Sequence, residues 1–255
     1  MIAHTEAFVA YRTLSQEHLN FVVLVCHAVP ALRADLSLPS TTLSSPPDHF
    51  KASRNPKTEV ANHVSAYQEE IARSTLITIF SYFEAYIKDA LKEIVDFHGG
   101  KKDFTKLSLK RTTKFISALD ADMRRYKRKL QDKPARSKVE KYRKYGTLLE
   151  GKGFKFPTEL FAHFGVCQLL PKLDEKKGMR AWEIPTILED CLLFPITPTE
   201  RDDFEAIRSL RNKIGHGRPQ TVALKKSLHY ASLLHTLAAK VDRHITEHFL
   251  VIQAI

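Results

Sequence analysis

Cysteine is scarce in this chain, and the scarcity excludes two common ways of holding a protein together. Cys26, Cys167 and Cys191 are odd in number and far apart in 255 residues. A disulfide framework and a cysteine-rich zinc site are therefore both excluded, and a reducing compartment fits. A glycine-rich phosphate loop is missing as well. Gly151-Lys152-Gly153 lacks the G-x-x-x-x-G-K-[ST] spacing, and no strand pattern precedes it. The opening residues, M-I-A-H-T-E-A-F, lack the basic start and apolar run of a signal peptide. The apolar stretch F-V-V-L-V-C-H-A-V at 21–29 is far too short to cross a bilayer. A cytoplasmic protein with no membrane association is expected. The apolar fraction of 43% and charged fraction of 27% are those of an ordinary globular chain. Its length suffices to bury a core without staples.

Acidic residues run short in one place only. Residues 101–155 hold 19 of the 40 lysines and arginines but 6 of the 29 acids, a local balance of +13 that leaves −2 for the rest. A basic surplus confined to one segment attracts polyanions and gains from releasing their counterions. Nucleic acid is the expected partner. The alternative is a solvated basic face with no partner.

Apolar residues recur at helical spacing almost throughout. Phe8, Tyr11, Leu14, His18, Phe21, Val25 and Ala28 step by three and four over residues 4–28, predicting a helix that ends before Pro30. Residues 31–57 contain a Pro/Ser/Thr-rich connector. A long helix is predicted from about Thr58 to His98, with Gly99-Gly100 as its stop. In the basic segment, T-K-F-I-S-A-L-D-A-D-M-R-R-Y-K-R-K-L reads as an amphipathic helix with a cationic end, and S-K-V-E-K-Y-R-K-Y-G as a shorter one. Short helices are predicted around 158–170 and 181–193. From Thr199 a further helix begins, where T-E-R-D resembles a capping box. Phe204, Ile207, Leu210 and Arg211 or Ile214 step along one side of it. The last helix runs from about Thr221 to Phe249 with Leu224, Leu228, Ala231, Leu234 and Leu237 as its stripe. No repeat, heptad array or strand pattern is evident, so the fold class is all-α.

Few stretches carry chemistry. His244-Ile-Thr-Glu247-His248 matches H-x-x-E-H, and His244 and His248 share a helix face as zinc ligands must. No third ligand is tied to them by spacing. Asp174-Glu175-Lys176 reads as a D-x-K fragment of a metal nuclease, but that chemistry needs a carboxylate cluster on a sheet. The cysteines have no neighbours that suggest a nucleophile. No metal and no cofactor is expected.

The stretch R-S-L-R-N-K-I-G-H-G-R-P, Arg208 to Pro219, is different. Arg211 is always charged and can donate two parallel hydrogen bonds to a phosphate. His216 belongs to the residue type that exchanges protons near neutral pH. RNA carries its own nucleophile, the ribose 2′-hydroxyl, so a base and a cation suffice in principle. Five residues at roughly 100° each put the two positions about 140° apart on a straight helix. Either Gly215 and Gly217 let the backbone turn His216 back toward Arg211, or two chains pool their pairs in one cleft. The ordinary alternative is a helix C-terminus with basic residues and a glycine stop.

The segment R-N-K-I-G-H resembles the R-x(4–6)-H signature of the HEPN superfamily, in the form with Asn directly after Arg. S-Y-F-E-A-Y-I-K-D-A-L, Ser81 to Leu91, is similar to the second helix of many HEPN proteins. The resemblance covers residues 1–100 and 197–255, as two halves of one composite HEPN-like helical bundle. Residues 101–196 would be a basic, mostly helical insertion. The resemblance implies a metal-independent endoribonuclease, often a toxin or antiviral (phage-defence) effector, working as a homodimer. It implies His216 as general base or acid and Arg211 as phosphate clamp. Asn212 would orient the substrate or its neighbour, and Glu84 would position Arg211. The insertion would hold RNA through Arg124, Arg125, Lys127, Arg128 and Lys129, and through Lys141, Arg143 and Lys144, with Tyr126, Tyr142 and Tyr145 as stacking groups. An antitoxin or regulatory protein is a further partner to expect. Some HEPN-like proteins are catalytically silent modules that bind RNA or protein, and this is the alternative. A DNA-binding helical protein is a third reading.

Overall fold

A computed structural model describes residues 3–38, 56–100, 102, 172–173, 178–192, 194–218 and 220–250. All regular structure among the described residues is helical. Four long helices dominate: α1 (Glu6–Leu36), α2 (Pro56–Phe97), α3 (Pro198–Gly215) and α4 (Leu224–His248). Between α2 and α3 lies a short mixed run, a 3-10 turn at Ala181–Glu183, an α turn at Ile184–Thr186 and a π turn at Ile187–Cys191. The chain divides into two compact units. The first comprises Met1–Tyr11, Phe83–Glu205 and Thr236–Ile255, the second Arg12–Tyr82 and Ala206–His235. Each long helix thus contributes to both.

The first unit is built on an aromatic cluster. Phe8, Tyr11, Phe83, Tyr86 and Phe204 are buried. Their rings meet at edges and tilts, with centroids 5.9 Å apart for Phe8–Tyr86 and 6.1 Å for Phe83–Phe204, the arrangement aromatic quadrupoles favour. The Tyr86 hydroxyl donates to the Ala238 carbonyl at 3.1 Å. Burial, and then the nearby Asp242 charge, raise the Tyr86 hydroxyl well above its ordinary pKa. The start of α1 is anchored here. Thr5 Oγ1 accepts from the Phe8 N–H, and Glu93 accepts from the N–H groups of Glu6 and Ala7. These bonds satisfy donors that the first turn of a helix leaves open. Asp242, 1% exposed, accepts from Thr5 N (2.9 Å) and Thr5 Oγ1 (2.6 Å) and pairs with His4 Nδ1 (2.7 Å). At the other end, His98 Nε2 donates to the Phe249 carbonyl.

In the second unit Val22, Val64, Ile71, Leu76, Ile79, Phe80, Ile207, Val222 and Leu234 are buried. Ser227 Oγ donates to the Ala72 carbonyl at 2.8 Å. Thr75 donates to the Ile71 carbonyl, so its Oγ1 is left to accept from His18 Nε2 at 3.2 Å. Burial lowers the His18 pKa.

Several expectations need correction. Helix α1 runs straight through Pro30 to Leu36. A proline in a helix forfeits one backbone bond, and residues around Pro30 are exposed, so water can replace it. The continuous helix is long and apolar enough, by length and composition, to cross a bilayer, which the stretch 21–29 alone is not. The inward stripe of α1 is Phe8, Tyr11, Ser15 and Val22, whereas Leu14 (42%) and Phe21 (53%) are exposed. Ser15, a polar residue, holds the core register that hydrophobicity assigns to Leu14. In α4, Leu228 is likewise exposed, and Ala231, Leu234, Ala238, Val241 and Ile245 carry the buried stripe. The box that starts α3 sits two residues earlier than T-E-R-D. Glu200 Oε2 accepts from Thr197 N and Oγ1, and Glu200 N donates to Thr197 Oγ1. Pro198 then occupies the first helical position, where its missing N–H costs nothing. The long α2 and its stop agree with the sequence: Gly99 and Gly100 adopt φ of 93° and 81°.

Candidate functional site

Arg211 and Asn212 lie in the last turns of α3, and His216 follows its final residue, Gly215. The helix does not bend away before the histidine. His216 N donates to the Asn212 carbonyl at 3.0 Å, continuing the helical ladder. Gly217 N then bonds Ile214 O (2.9 Å), and Arg218 N bonds Lys213 O (3.0 Å). Those two bonds, with Gly217 at φ 69°, make a Schellman motif with His216 as C-cap and Gly217 just beyond it. Only Gly217 needs glycine's freedom. Gly215 is helical, and a Cβ there would meet nothing within 4 Å. The expectation that both glycines swing His216 back toward Arg211 is therefore corrected: Gly215 is helical, and Gly217 turns the chain only after His216. The helical path reaches His216, and the angular divergence of about 140° stands.

Each side chain has a distinct setting. Arg211 is half-buried, with its guanidinium carbon 5.4 Å from the centre of the Phe80 ring. Its Nη1 donates to Asn212 Oδ1 at 3.1 Å. A ring face beneath and an amide beside it fix the plane of the guanidinium, as a phosphate clamp requires. His216 is exposed. Arginine and asparagine are thus brought together directly, and the histidine joins them through the backbone. Glu84 is half-buried on α2, four residues beyond Phe80, and belongs to the first unit. The pattern of the sequence does not single out Phe80. The only signal for it is its place one helical turn before Glu84 in F-S-Y-F-E.

The basic residues assigned to RNA, Arg124, Arg125, Lys127, Arg128, Lys129, Lys141, Arg143 and Lys144, lie outside the described residues, as do Tyr126, Tyr142, Tyr145, Cys167 and Asp174-Glu175-Lys176. The H-x-x-E-H pair is absorbed into packing. His244 Nε2 donates to the Leu192 carbonyl at 2.8 Å, and its ring meets Phe194 edge-on. Burial holds the His244 pKa down, against the pull of that carbonyl. Among the described residues no cluster of three or more His, Cys, Asp or Glu could hold a metal ion. Cys191 is buried, and desolvation pushes its thiol up to about 12, which makes it inert as a nucleophile.

An all-helical chain with an arginine, an adjacent asparagine and a helix-capping histidine in R-x4-H spacing defines the class. The model of the family described as RiboL-PSP-HEPN matches residues 49–247. The chain belongs to this family of the HEPN superfamily. The matched span takes in the basic segment as well as the motif. No curated protein and no solved structure matches the chain.

Proposed function

We propose that the chain is a metal-independent endoribonuclease in which His216 and Arg211 act on a phosphodiester of RNA. In this reading a His216 imidazole takes the proton of the ribose 2′-hydroxyl. The 2′-oxygen attacks the adjacent phosphorus, and Arg211 holds the charge that builds on the phosphoryl oxygens. The 5′-oxygen leaves with a proton given back by a His216 imidazolium, and the products are a 2′,3′-cyclic phosphate and a 5′-hydroxyl. Asn212 orients Arg211 through the bond already described, and Glu84 is assigned to the same positioning task. The observation that carries the reading is the R-x4-H pair itself, with Arg211 fixed against Phe80 and Asn212 and His216 exposed at the helix cap. The divergence of the two positions favours a homodimer in which two motifs share one cleft. We further read the chain as a cytoplasmic toxin or antiviral effector, with RNA held by the basic segment and an antitoxin or regulator as partner; the family supports the RNA-directed part of this reading.

The test is incubation of purified wild type and His216→Ala with total RNA in excess EDTA. Cleavage by wild type alone supports the proposal; intact RNA with both sinks it. One observation favours a second reading, a catalytically silent RNA- or protein-binding module. Arg211 already makes a ring contact and a side-chain bond, which are structural tasks. That module would bind RNA equally well with or without His216.

A further inference from the structure

A groove of about 510 Å3 opens within the second unit beside the motif. One wall is a single face of α2, where Glu70, Arg73, Ser74, Ile77 and Thr78 recur at helical spacing. The other is the end of α3 and its cap, Ile214, Gly217 and Arg218. Ile214 and Gly217 flank His216 within two residues, so a strand lying at His216 meets the groove next.

Its lining is mixed in a way that suits one nucleotide. Ile77 and Ile214 are half-buried and offer an apolar floor for the face of a base. Arg218 is exposed at the rim. Arg73 is claimed by two carboxylates of its own helix, at 3.0 Å from Glu69 and in contact with Glu70. The three charges leave a net acceptor, not a cation. Glu70 gives only Oε1 to Arg73 and its side chain stays 63% exposed, so it retains capacity to accept hydrogen bonds.

We propose that this groove is the subsite for one nucleotide beside the cleaved bond. Ile77 and Ile214 lie under its base, Arg218 on its phosphate, and Glu70 accepts from an exocyclic amino group. Adenine, cytosine and guanine present such a group, whereas uracil offers only its ring N3–H, flanked on both sides by carbonyl oxygens that a carboxylate repels. The inference rests on the ribonuclease reading for its substrate, but its test measures no cleavage.

The probes are fluorescent 2′-O-methyl oligonucleotides of A, C or U, which lack the nucleophile and stay intact. Their binding to the full chain is read by anisotropy. Wild type should hold A and C more tightly than U. Glu70→Gln should bind the three alike, with its melting temperature checked against wild type. Arg218→Ala, an exposed change, should weaken all three by roughly tenfold, the worth of a charge-assisted hydrogen bond. Equal binding of the three by wild type, a preference that survives Glu70→Gln, or no binding overturns the groove assignment. Selective binding that Glu70→Gln abolishes, from a protein that cuts no natural RNA, upholds the groove and refutes the nuclease.

Discussion

Two glycines two residues apart should respond to alanine in opposite directions. Gly217 sits at φ 69° and Gly215 in helical geometry, and neither would place a Cβ within 4 Å of another atom. Sterics with neighbours therefore cancel, and only the backbone decides. Alanine in the left-handed region costs about 1–2 kcal/mol. In a helix, replacing glycine by alanine stabilises by about 1 kcal/mol. Gly217→Ala should lose and Gly215→Ala should gain, a spread of about 2–3 kcal/mol. In a chain of 255 residues each kcal/mol moves the melting temperature by about 2–4 °C. Urea or thermal unfolding of the two variants reads this directly, and RNA cleavage reads whether His216 stays placed. Gly217→Ala should lower both stability and cleavage, and Gly215→Ala should keep cleavage intact. A destabilised Gly215→Ala, or a silent Gly217→Ala, would refute the Schellman cap as the device that ends α3 at the histidine.

Other consequences follow from groups already described. Asp242→Asn leaves three close contacts around a buried site without their charge, and should cost about 2 kcal/mol; thermal melts would show a drop of roughly 4–8 °C. Burial lowers the pKa of His18 and His244 below the ordinary 6.5, so the unfolded chain binds protons first. Stability is full above that value and falls as pH drops through and below it. His244→Gln, which keeps a donor for the Leu192 carbonyl, should flatten the loss between pH 7 and 5; an unchanged slope contradicts the assignment. If two chains pool their motifs, Arg211→Ala and His216→Ala proteins mixed and refolded together should regain cleavage, and no recovery would place both groups in one chain.

The fold class was legible because apolar residues recur at helical spacing and Gly99-Gly100 is an unambiguous stop. Burial within a helix was less so. Choosing Leu14 over Ser15 follows hydrophobicity, but tertiary packing put the serine inside, where its Oγ has no hydrogen-bond partner among the described residues. Pro30 misled because proline weighs against a helix, through its lost donor and the crowding of the carbonyl one turn before it, without forbidding one, and α1 continues through it. Thr197 and Thr199 both match the first position of a capping box, and Pro198 decided between them. At the candidate site, the R-x4-H spacing together with its place at the end of a helix singles out Arg211, Asn212 and His216. Phe80 and the α2 wall of the groove were not, because their role depends on which face of one helix meets the end of another.

In the proposed reaction the 2′-hydroxyl of the substrate is the nucleophile and the chain's own side chains move its proton. The direct measurement uses an RNA oligonucleotide containing one mapped cleavage site, in excess EDTA, with and without a single 2′-deoxy substitution at that site. Cleavage at the site should vanish with the substitution, and the unsubstituted RNA should end in a 2′,3′-cyclic phosphate. Undiminished cutting of the substituted strand would contradict the account.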